Sequence, residues 1–111
     1  MTTPYCLVLC TCPEGDVATS LARFLVEEGL AACVNLLPGV DSIYRWEGEL
    51  ETARECLLLI KTERSRYPEL ETRLRQAHPY QIPEIIALPL ERGLTDYLHW
   101  ISSCLCSRTP G

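Results

Sequence analysis

At 111 residues, with 47% hydrophobic and 23% charged positions, the chain has the size and composition of one globular domain spanning 1–111. That length buries roughly 65% of the surface of the unfolded chain. A formal net charge of −5 and scattered basic residues argue against nucleic acid as a partner, and without an apolar run of about 18 residues no helix is expected to cross a membrane.

The start, Met1-Thr2-Thr3-Pro4, lacks the charged and apolar regions of a secretory signal, so a cytoplasmic protein is expected. Seven cysteines fit that setting as reduced thiols, since Cys6, Cys10, Cys33 and Cys56 lie inside apolar runs and behave there as small hydrophobes.

Tyr5 to Cys10 is a continuous apolar run, expected as a buried strand. A helix follows Pro13-Glu14-Gly15-Asp16, with Val17, Leu21, Phe24 and Leu25 on one stripe and Gly29 just past its end. Ala32 to Trp46 reads as extended and is interrupted at Pro38-Gly39. Glu47-Gly48 turns the chain, and a second arm runs from Glu49 to Thr62, giving a long hairpin.

The next helix is expected from near Ser65, with Pro68 tolerated in its first turn and Leu70, Leu74 and Ala77 buried. The connector His78-Pro79-Tyr80-Gln81-Ile82-Pro83-Glu84 is stiffened by its two prolines. A strand from Glu84 to Leu90 carries Pro89, which suits an edge position or a bulge, and Thr95 is expected to cap a last helix through Ile101 and Leu105. The order β-α-β-β-α-β-α predicts an α+β fold, the ferredoxin-like split βαβ with a C-terminal helix appended.

Such a sheet carries helices on one face only, so its strands should alternate. Tyr5 to Cys10, Cys56 to Ile60 and Ile85 to Leu88 are instead apolar on both parities. Other copies of the chain would cover that second face, which predicts a homo-oligomer.

Several blocks taken together resemble the CutA (divalent-cation tolerance) family: Leu9-Cys10-Thr11, Gly29 to Asn35, Ser42 to Glu49, Ile60-Lys61-Thr62, His78 to Glu84 and Thr95 to Ile101. The resemblance implies a homotrimer built like the PII signalling proteins, and a role in tolerance of divalent metals. It also implies copper binding by the cysteine of the Leu-Cys-Thr motif and by two adjacent histidines before Pro-Tyr-Gln. Cys10 and His78 match the cysteine and the second histidine, while Ala77 stands at the first.

A thiolate and an imidazole suit copper or another divalent metal. Cys10 also reads as a buried core thiol, and His78 as a helix-terminal residue whose charge the helix dipole favours. A PII-like trimer has clefts between subunits, and Tyr44, Trp46, Lys61, Tyr80 and Glu84 are the candidates to line one. That makes a regulatory or small-molecule-binding module the alternative function, with a protein-interaction platform at the hairpin tip as a third. Tyr44 and Trp46 also read as cross-strand packing partners. With two histidines, no glycine-rich phosphate loop and no Ser-His-Asp order, catalysis is not expected.

Overall fold

The computed structural model describes residues 3–105. Strand β1 (Tyr5–Pro13), helix α1 (Asp16–Glu27), strands β2 (Cys33–Trp46) and β3 (Glu49–Glu63), helix α2 (Tyr67–Ala77), strand β4 (Ile85–Pro89) and helix α3 (Thr95–Cys104) follow in order. The sheet is antiparallel, ordered β2-β3-β1-β4, which is the ferredoxin-like arrangement. β4 pairs only with β1, so Pro89 ends an edge strand as its missing N–H requires.

α1 and α2 cover one face. Beneath them lie Cys6, Val8, Cys10 and Cys12 of β1 with Cys56, Leu58 and Ile60 of β3, packed against Leu21, Leu25, Leu70 and Leu74. α1 ends with the Leu30 amide donating to the Leu25 carbonyl and the Gly29 amide to the Val26 carbonyl, a Schellman closure. Leu30 and Leu25 are both fully buried beside it.

Four local expectations are corrected. Val17 is 36% exposed and Ala18 takes the buried position, because the buried stripe of α1 runs Ala18, Leu21, Ala22 and Leu25 at the spacing of one helix face. Ala77 is exposed at the end of α2, where His78 turns into the core instead. Thr95 does not cap α3. Leu94 holds the N-cap position with no side-chain bond, and Thr95 is the first helical residue. α2 also starts later than Ser65, after a 3-10 turn over Arg64–Arg66, with Pro68 in its first turn.

The β2–β3 hairpin closes through a two-residue turn in which Glu47 (φ 50°) and Gly48 (φ 83°) are both left-handed. This geometry matches the twist of the flanking strands. Further down the arm, Leu37 faces Leu57 and Val40 faces Glu55, so Pro38 and Gly39 together oppose Cys56. This bulge is the interruption expected at Pro38-Gly39. The extra residue switches which parity of β2 faces which side. Gly39 sits at φ 75°, and its amide donates to the Glu14 carboxylate. Gly39→Ala is expected to cost about 1 kcal/mol through the backbone alone, since nothing lies within 4 Å of the added Cβ. Urea denaturation midpoints check this, and an unchanged midpoint would show that the bulge relaxes freely.

The second face of the sheet carries Leu7, Leu9, Leu57 and Leu59, with Leu37, Ile86 and Leu88 in register beside them. Ile86 is 51% and Leu88 46% exposed, so the chain by itself leaves this face largely uncovered. α3 closes only one end of it, packing Ile101 against Tyr5 and Ala32. There the Tyr5 hydroxyl meets Ser102, which donates to the Glu63 carboxylate.

Candidate functional site

The connector after α2 is pinned by its first residue. His78 leaves the helix with extended backbone, as Pro79 demands, and the residue is buried, 7% exposed. Nδ1 accepts the Tyr80 amide at 3.1 Å, so Nε2 carries the proton and donates to the Thr11 carbonyl at 2.8 Å. The Tyr80 ring lies 4.7 Å from the imidazole, tilted by 56°. At its far end the Tyr80 hydroxyl donates to Glu55 Oε2 at 2.7 Å. Burial, and then the bond to Glu55, raise the phenol's pKa well above its ordinary value. The connector is thereby tied to both β1 and β3.

Cys10 lies one residue from Thr11 and points the other way, into the core beneath the helices. Burial pushes its thiol up to about 12, with Cys12, Glu84 and Glu55 adding to the effect. Cys12, its neighbour on the same face, is pushed up to about 11. At neutral pH, Cys10 therefore offers far less thiolate than an ordinary cysteine. His78 has both ring nitrogens in use. Among the described residues no three His, Cys, Asp or Glu side chains gather to hold a metal ion. The resting fold thus places Cys10 and His78 on either side of Thr11 and commits each to other partners.

The other candidates fare differently. Between the β2–β3 arm and the connector lies a cavity of about 760 Å³, whose lining includes Tyr44, Trp46, Tyr80 and Glu84. Four of the five residues named for a cleft between subunits line this cavity within the single chain. Thr11 forms part of the floor, and its hydroxyl donates to Glu84 Oε1 at 3.5 Å. Lys61 shares this side of the sheet but sits six positions along β3 from Glu55, ~20 Å away. Its ammonium bonds Asn35 instead.

Two lining carboxylates, Glu51 and Glu55, escaped the sequence reading. Glu51 is the register partner of Tyr44 and follows from counting back from the two-residue turn. Glu55 meets Tyr80 across 25 positions, and no local signal marks it.

Residues 6–104 match the family model for the CutA1 divalent ion tolerance protein. The chain belongs to the CutA family. The divalent-cation tolerance protein CutA of Thermus thermophilus is 50% identical over 95 residues, which cover 86% of this chain and 92% of that one. The mouse Protein CutA is 50% identical over 91 residues, 82% of this chain and 51% of the mouse protein. The crystal structure of CutA from Xylella fastidiosa superimposes with a TM-score of 0.91 at 44% identity, covering 94% of this chain and all of that one. A periplasmic divalent cation tolerance protein CutA from Archaeoglobus fulgidus gives 0.87 at 36%, over 90% and 97% of the two chains. Membership of the family carries with it a relation to divalent-cation tolerance.

Proposed function

We propose that this CutA-family chain works in the cytoplasm as a homotrimeric, non-catalytic divalent-cation tolerance protein, with copper as a metal it engages. The supporting observation is the half-identity to the Thermus thermophilus tolerance protein over nearly its whole length. The uncovered apolar face supports assembly from copies of the chain. No helix among the described residues is long and apolar enough to cross a membrane.

Cys10 and His78 are the proposed copper ligands, and the fold attenuates them. Binding there removes a proton from a thiol held near 12 and releases the Tyr80 amide from Nδ1. Titrating reduced protein with Cu(I) in two buffers of different ionisation enthalpy is expected to show net proton release. Cys10→Ser and His78→Gln should each weaken binding at least about tenfold. Unchanged stoichiometry and affinity in both variants would remove these residues from any metal site.

The cavity favours a second reading, a small-molecule-binding module. Its volume lies within the range of ligand sites, and aromatic walls with a few placed polar groups are the usual lining of such sites.

A further inference from the structure

We infer that the facing thiols of Cys12 and Cys56, beneath the helices, form a two-sulfur site for a soft cation of the copper(I) class. The site is separate from Cys10 and His78 and does not depend on them.

Register supplies the first observation. Cys12 of β1 stands directly opposite Cys56 of β3, and both side chains lie in the core on the helix-covered face. They are 0% and 2% exposed within the single chain, so copies covering the other face leave their surroundings unchanged. The Arg64 amide donates to the Pro4 carbonyl, and hydrogen-bonded pairs recur at every second position from there to Cys12 and Cys56. Residues facing each other in such a pair hold their Cα atoms about 5.5 Å apart, the wider of the two ladder spacings. Their Cβ atoms stand near the upper end of about 4.5–5.5 Å, whereas a disulfide needs about 3.5–4.5 Å. A cation bonded to each sulfur at about 2.3 Å spans a gap that a direct S–S bond does not.

The bonding of the two sulfurs supplies the second. Cys12 Sγ makes only a long, weak bond, 3.8 Å to the Cys56 carbonyl. Burial and then the Glu14 carboxylate oppose ionisation of Cys56, while the Leu37 amide bonds its sulfur and favours the thiolate. On binding, each thiol releases its proton to solvent and gives a sulfur lone pair to the cation.

The ligand count names the cation. Cys10 lies two positions along β1 on the same face, yet among the described residues no three Cys, His, Asp or Glu side chains form a metal-holding group. Zinc takes four ligands, and calcium and magnesium take six or more oxygens. Thiolates select copper(I), a closed-shell ion that two sulfurs satisfy. Pro13 ends β1 one residue beyond Cys12, and the Pro38-Gly39 bulge lies across from Cys56. Strand ends and bulges open first, which gives a small ion a way in.

Anaerobic calorimetric titration of the reduced full chain in its native assembly tests this, with Cu(I) and Ag(I) against Zn(II) and Mg(II). The parent chain for these titrations carries Cys104→Ser and Cys106→Ser, so the two cysteines nearest the C-terminus take no part. Cu(I) should bind, and Cys12→Ala and Cys56→Ala should each weaken it about a hundredfold, since a single ligand then replaces a chelating pair. Cys10→Ala and His78→Gln should leave this binding event in place. X-ray absorption of the parent chain loaded with about half an equivalent of Cu(I) should show two sulfur neighbours and no nitrogen. If both alanine variants unfold cooperatively in urea and bind Cu(I) as before, the site is overturned. If either variant does not fold, the neighbours seen in the parent chain decide alone. A nitrogen neighbour, with binding lost in His78→Gln, overturns the site and leaves Cys10 and His78 as the copper ligands. Zn(II) binding as tight as Cu(I) overturns the two-ligand assignment. If neither Cu(I) nor Ag(I) binds, this site and that of Cys10 and His78 both fall.

Discussion

Raising the pH above about 9 is expected to destabilise this protein progressively, with most of the loss complete by about 12. The cause is the set of thiols and phenols packed under and beside the sheet. Burial raises Cys10 from 9.0 to about 12, Cys12 from 9.0 to about 11 and Tyr67 from 10.0 to about 12, and it raises Cys6, Cys56 and Tyr80 as well. Between the ordinary and the shifted value the folded chain keeps its proton while the unfolded chain releases it. Stability from each group is therefore fully present below its ordinary pKa and disappears as pH climbs to the raised one.

Each group removes ~1.4 kcal/mol per pH unit in that window, so Cys10 alone accounts for about 4 kcal/mol. That is a large share of a typical domain stability of about 5–15 kcal/mol. Urea denaturation under reducing conditions at about pH 8, 9.5 and 11 measures the slope. Cys10→Val should flatten it by close to the Cys10 share. A stability independent of pH across that range would mean the thiols are not shielded as described.

The second large effect concerns the uncovered face of the sheet. Leu59 stands at its centre, in register with Leu9 on one side and Asn35 on the other. In an assembly that buries this face, Leu59→Asp places an unpaired carboxylate in an apolar interface. The expected cost is about 3–5 kcal/mol, with dissociation of the trimer. On a water-facing surface the same change stays within about 0.5 kcal/mol. Light scattering coupled to size exclusion at low micromolar concentration reads both outcomes. Wild-type protein running as a stable 12.5 kDa species would overturn the oligomer itself.

Local signals carried the order of elements well. Gly29 marks the end of α1, Glu47-Gly48 the hairpin turn, and Pro79 and Pro83 the stiff connector. The misplacements lie where local pattern leaves neighbouring positions equivalent. The stripe of α1 could start at Val17 or Ala18, and packing buries the face that runs through Ala18, Leu21, Ala22 and Leu25. Thr95 is a good capping residue by type, but the chain enters α3 one position earlier. Lys61 shares the family blocks and the side of the sheet with the cavity residues but lies too far along β3 to line the same cavity within one chain.

By itself the sequence determined what depends on neighbours along the chain. Helix periods, turns and proline stops set the elements in order, and six specific blocks identified the family. Strands apolar on both parities disclosed the second face. Tertiary structure decided what depends on register and on contacts between distant positions. The bulge at Pro38-Gly39 shifts β2 by one residue, and that shift puts Tyr44 and Trp46 on the cavity side of the sheet. His78 meets Thr11 across 67 positions and spends its ring nitrogens on holding the connector. Spacing names the residues able to bind a metal or a ligand, but packing fixes which of their atoms remain free, because burial and hydrogen bonding are settled only when the layers close.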